Sequence, residues 1–229
     1  MALGNSAKIY EERQYLRSGE TEISERGFNM IIGGVLLWGF LLNYLMVTLF
    51  GNNIIQMVSG INPLIFLVGY IVLVIIGSVM LSKDSPVLSF LGYNLIALPI
   101  GVLVCLCVEG VPVSVVQSAV LVTAIVTLSF MILATVIPGF FLSMGRALGV
   151  GLLVAIVAEL ITSLIFRVRS PIFEWIFVAI FSLYIGYDWA RANTCARTVD
   201  NAIDLAANLY LDIINLFLRI LEIMSKNKD

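Results

Sequence analysis

Between residues 27 and 224 the chain runs through seven strongly apolar stretches, joined by connections of 3 to 12 residues. Each stretch holds roughly 20 residues, the length of helix that crosses a hydrocarbon core of about 30 Å. Lipid offers the backbone no hydrogen-bond partner, so a run of this kind satisfies its N–H and C=O groups internally, as a helix. The fold class expected is therefore all-α: a polytopic membrane protein of seven transmembrane helices. The spans expected are 27–50, 63–81, 87–108, 114–137, 141–166, 172–191 and 203–224. Gly51, Asn52 and Asn53 should stop the first, and Pro86 follows the turn that closes the second. Asn94 and Pro99 lie inside the third, and Glu109-Gly110-Val111-Pro112 makes a tight turn after it. Pro138 and Gly139 should close the fourth. In the fifth, Gly145 and Gly149 are four apart, a spacing that lets backbones approach closely.

Composition agrees. The chain is 60% hydrophobic, where soluble domains average about 45–50%. Only 12% of residues are charged, about half the usual share. There is no histidine, which removes Ser-His and Cys-His nucleophiles and His-ligated metals. No basic run exists from which to build a nucleic-acid surface. Cys105 and Cys107, two apart, point to separate faces of one helix and cannot grip one metal; Cys195 sits in a polar connection as a free thiol.

Residues 1–26 form a polar tail of mixed charge, with no apolar core of the kind a secretory signal needs. Ile9, Tyr10, Arg13, Leu16 and Arg17 are spaced for a short helix at the membrane surface. Lys and Arg set the orientation. With seven spans, one face carries Lys8, Arg13, Arg17, Arg26, Lys83, Arg146, Arg191 and Arg197; the other carries Arg167, Arg169, Lys226 and Lys228. That bias makes the N-terminal tail cytoplasmic and residues 27–229 the membrane domain. A last span that dips and returns would bring the C-terminus back to the cytoplasm.

The last span is unlike the others. Asn201, Asp204, Asn208, Asp212, Asn215, Arg219 and Glu222 follow at steps of three or four, which puts them on one stripe of a helix. Leu205, Ala206, Leu209, Ile213, Leu216, Phe217 and Ile220 cover the rest. Such a helix belongs inside a bundle or beside water, not against lipid.

Asp188 near the end of the sixth span and Asp212 in the seventh are equidistant from residue 200, within their connection. In an antiparallel pair, residues equidistant from the apex come to similar depth. One reading is a carboxylate pair sharing a proton, since two carboxylates about 3 Å apart cannot both stay ionised easily. The other is two unrelated carboxylates, satisfied by backbone or by Arg191 or Arg219. Asp204 and Glu222, near the ends of the helix, read as solvated caps, and Glu109 as a solvated turn residue. Glu159 sits deep in the fifth span, where an uncompensated carboxylate costs at least about 3 kcal/mol. It is expected to be protonated, paired or facing a polar cavity, as a second station on the same path. Tyr187, Asn208 and Asn215 are further candidates for that path. Asn43 and Asn94 are amides suited to bridging helices.

The segment Ile185-Gly186-Tyr187-Asp188, followed after some twenty residues by Ala206-Ala207-Asn208-Leu209-Tyr210-Leu211-Asp212-Ile213-Ile214-Asn215-Leu216-Phe217-Leu218, resembles the closing signature of the Bax inhibitor-1 (TMBIM) family. The resemblance is strong over residues 172–224 and rests elsewhere on span number and loop brevity. It implies seven helices with the seventh central. It also implies a pH-sensitive calcium leak, as in the family's bacterial branch, governed by the aspartates matching Asp188 and Asp212. In the family a basic residue near the end of the second helix can bond the pair in the closed state; here Lys83 is the cation in that turn, with Arg219 a second candidate. Family members also bind cell-death regulators or a membrane-anchored protease, which implies a membrane-protein partner as an alternative role.

Calcium prefers about six to eight oxygen ligands. Two carboxylates with tyrosine, asparagine and backbone oxygens fall short of a tight cage, so calcium is expected as a weakly held permeant ion and no cofactor as tightly bound. Acid would protonate the pair and remove its attraction for a dication, with an effect on the order of pH 6–7. A rival reading is an intramembrane aspartyl protease of the presenilin type. Tyr187-Asp188 fits half of that signature, but Leu209-Tyr210-Leu211-Asp212 stands where Gly-x-Gly-Asp is required. A generic proton-coupled transporter is a third reading. The membrane expected is a bacterial plasma membrane, with the endoplasmic reticulum as the alternative.

Overall fold

The computed structural model describes residue 16 and residues 21–167 and 170–226. Most of the N-terminal tail, including Lys8, Ile9, Tyr10, Arg13 and Arg17, lies outside the described residues, as do Arg169 and Lys228. Leu16 is described and is in no helix.

The described residues form helices and no strands. In chain order they are α1 Glu25–Ser59, α2 Pro63–Leu81, α3 Pro86–Val108, α4 Val113–Val136, α5 Pro138–Ser143, α6 Gly145–Leu164, α7 Ile172–Ala192 and α8 Val199–Lys226. Six of them, α1 to α4 with α6 and α7, are long and apolar enough to cross a membrane. At 28 residues α8 has the length, but its polar stripe keeps it out of that set.

Three spans differ from expectation: the last begins four residues early, at Val199, and the first and fifth differ more. The first continues through Gly51, Asn52 and Asn53 to Ser59. A glycine inside a helix costs only about 1 kcal/mol, less than opening main-chain hydrogen bonds where water is scarce. The effective stop comes at Gly60 and at Asn62, whose side chain accepts from Leu64 N at 2.9 Å to cap α2. The expected fifth span is broken at Met144 into α5 and α6. Each piece is seated separately on α7. A Cβ on Gly145 would lie 2.6 Å from the Tyr187 hydroxyl, and a Cβ on Gly186 would collide with the Phe141 ring. One straight helix from residue 141 would have to satisfy both seatings with a single axis.

The chain forms two compact units. One comprises residues 15–110 and 196–207, hence α1 to α3 and the first turns of α8. In it α2 and α3 touch backbone to backbone. A Cβ on Gly77 would lie 2.7 Å from the Gly92 carbonyl oxygen, and one on Gly92 2.6 Å from that of Gly77. Lipid supplies no hydrophobic drive between helices, so close van der Waals fit and polar bridges hold them. The bridges between α1 and α3 are Trp38 Nε1 to Asn94 Oδ1 at 2.9 Å and Tyr93 Oη to the Val35 carbonyl at 3.0 Å.

The other unit holds α4 to α7 and α8 from Asn208 onward. Its core includes Ala134, Phe141 and Ala190, with Phe130, Leu142, Leu183 and Trp189 packed around them. Trp189 Nε1 donates to Thr135 Oγ1 at 3.0 Å, tying α7 to α4. In α8 the apolar flanks are as buried as the stripe: Ala206, Leu209 and Leu216 are fully covered.

Candidate functional site

The last three turns of α7 carry Tyr184, Tyr187, Asp188 and Arg191. The i to i+3 spacing sets Arg191 one turn above Asp188, and Arg191 Nη1 bonds Asp188 Oδ1 at 2.9 Å. The guanidinium also lies over the Tyr187 ring, 5.5 Å from its centre. That ring is held in place by the missing side chain of Gly145. Asp188 is 5% exposed.

Asp212, in the middle of α8, is 8% exposed. Its carboxyl interacts electrostatically with Asp188 and Arg191. Asp212 Oδ2 meets no N–H or O–H donor among the described residues. Two carboxylates can hydrogen-bond only when one holds a proton. The arrangement is therefore chemically suited to carry one shared proton, with Arg191 balancing the remaining charge. Tyr184 is near enough to interact with the charge of both aspartates. The Arg191 bond to Asp188 is the arrangement the sequence offered as the alternative to a shared proton, and Asp212 interacts with both residues.

A second ionic cluster lies further along α8. Arg219 Nη1 bonds Glu174 of α7 at 2.9 Å and Glu159 of α6 at 3.1 Å, and its Nη2 reaches the second Glu159 oxygen at 3.3 Å. The guanidinium sits 4.0 Å from the centre of the Phe177 ring. Lys226 adds bonds to Glu222 at 2.6 Å and to Glu174 at 3.6 Å. Glu159 is thus paired, one of its three expected states. Arg219, named from sequence with Lys83 as a cation for the aspartates, instead serves two glutamates. Lys83 is exposed in the turn between α2 and α3. Asn215 Nδ2 donates to the Leu211 carbonyl of its own helix at 2.8 Å, and Asn208 is half-buried. Among the described residues no group of three or more Asp, Glu, Cys or His could hold a metal ion.

Asp204 departs from expectation: it is 4% exposed rather than a solvated cap, because α8 begins at Val199 and places it in the second turn. Sequence reasoning also missed Asp200, buried and accepting from Ser89 Oγ at 2.8 Å. It missed Glu174, buried in the first turn of α7. The proximity of Arg191 to Asp188 was legible from spacing. Glu174 gave no local signal, since its partner is 45 residues away.

Six apolar spans, with an acidic pair buried among helices beside one arginine, define an integral multi-pass membrane protein with an ionisable interior. The family model described as "Inhibitor of apoptosis-promoting Bax1" matches residues 25–229. The chain belongs to that family, the Bax inhibitor-1 family. Two uncharacterized proteins of Helicobacter pylori, from strains 26695 and J99, are each 37% identical to it over 86 residues. That match covers 36% of this chain and 35% of each relative, so the chain spans about a third of the length of these curated relatives.

Proposed function

We propose that the chain is a pH-sensitive calcium leak channel of the family's bacterial branch. Its ion path follows the polar stripe of α8 from Asn208 to Glu222, and its gate is the Asp188–Asp212 pair with Arg191. The observation that carries this reading is that two buried carboxylates interact with each other and with Arg191, which bonds one of them. When the pair holds its proton and Arg191 offsets the remaining charge, a dication gains nothing there. When the proton leaves, two carboxylates face one guanidinium, and the surplus negative charge attracts calcium. Two carboxylates supply fewer oxygens than a tight calcium site needs, which suits passage, since an ion must be able to leave.

The test is calcium flux from liposomes bearing the purified protein, across pH 5–8. Flux should fall on acidification. No flux at any pH overturns the reading and leaves a regulatory role through a membrane-protein partner.

A further inference from the structure

We propose that Arg219 is the selectivity-determining residue of the ion path, a resident cation that any permeating ion must displace from Glu159 and Glu174. The proposal rests on the leak-channel reading and names a second control point within it, apart from the aspartate pair. Arg219 is seven residues from Asp212, about 10 Å along the helix, on the same stripe. The charged groups around it are Glu159 from α6, Glu174 from α7, and Glu222 and Lys226 from α8 itself. The cluster holds three carboxylates and two cations, and Glu174 and Glu222 interact closely enough to share a proton; once that proton has left, a surplus of one negative charge remains and the station attracts cations. Phe177 closes the face of the guanidinium, and Glu174 is 5% exposed, so the Arg219–Glu174 contact is screened poorly, while Glu159 and Lys226 are partly exposed.

The competition between ions then has a definite sense. Arg219 offers one positive charge but three donor contacts to two carboxylates. A monovalent ion brings the same charge without that fork of hydrogen bonds, so it does not displace the guanidinium. A dication brings twice the charge to the same pair of carboxylates and does. The cluster thus passes divalent over monovalent cations, and the arginine returns behind each ion as a tethered counter-charge. Lysine in its place would keep the charge and lose the planar fork.

The experiment compares potassium and calcium leak from liposomes at pH 8 for the wild-type protein, Arg219→Gln, Arg219→Lys and the exchanged pair Glu159→Arg with Arg219→Glu. Arg219→Gln should raise potassium leak and lower the calcium-to-potassium ratio by about tenfold, the scale one charge-assisted hydrogen bond controls. Arg219→Lys should fall between, and the exchanged pair should recover much of the ratio. Glu159→Gln, a partly exposed partner of Arg219 changed without loss of side-chain volume, provides a second probe should Arg219→Gln not fold; it should move the ratio the same way. An unchanged ratio in a folded Arg219→Gln or Glu159→Gln protein overturns the inference while the leak reading stands. Absence of calcium flux from the wild-type protein overturns the leak reading itself.

Discussion

Arg191 holds Asp188 from one turn further along the same helix, Nη1 to Oδ1 at 2.9 Å. The bond is internal to α7. It can therefore be made or released by side-chain rotation alone, with no helix displaced. Asp212 interacts with both residues from α8, so the charge of the acids is balanced from within α7 by the arginine.

Removing that arginine should leave Asp188 buried without a cation. Breaking a buried pair from one side costs about 3–5 kcal/mol. Arg191→Gln should therefore lower the unfolding temperature in detergent. Asp188→Asn combined with Arg191→Gln should restore much of the loss, because the uncompensated charge is gone too. A double variant as unstable as the sum of its singles would separate the two residues.

Neutralising either acid should remove the proton-sharing contact. Asp188→Asn and Asp212→Asn should each flatten the pH dependence of calcium flux in liposomes between pH 5 and 8. An intact pH response in both variants would take the pair out of the gate.

Gly145 makes room for Tyr187. A methyl group there would sit 2.6 Å from the hydroxyl and 2.7 Å from two ring carbons. Gly145→Ala should cost about 1–3 kcal/mol, the usual range for overpacking. Adding Tyr187→Leu should recover most of it, as read by thermal unfolding. Failure of that rescue would place the strain elsewhere.

The α2–α3 contact yields a sharper comparison. At Gly77 a methyl would meet the Gly92 carbonyl oxygen at 2.7 Å, whereas at Gly33 it would meet nothing within 4 Å. Backbone cannot swing aside as a side chain can, so Gly77→Ala should destabilise by about 1–3 kcal/mol. Gly33→Ala should be neutral or slightly stabilising, since alanine is the better helix former. Equal melting temperatures for the two variants would contradict the packing.

The membrane class and most span boundaries were legible in the chain itself, as was the spacing that brings Arg191 to Asp188. Apolar run length and the helical repeat are local properties, and lipid leaves such runs one way to satisfy their backbones. The α2 boundaries, Pro63 to Leu81, were read without error because Asn62-Pro63 and Ser82 are local punctuation. What packing decided was different in kind. Gly51-Asn52-Asn53 is a stop signal only where water can take the freed hydrogen bonds, and α1 runs through it. The break at Met144 depends on where Tyr187 and Phe141 fit against α7. Arg219 stood seven residues from Asp212 in sequence, yet its partners are Glu159 and Glu174, 60 and 45 residues away. A charge in an apolar interior binds whichever opposite charge the fold brings within reach, and that choice belongs to the packing of helices rather than to the order of residues.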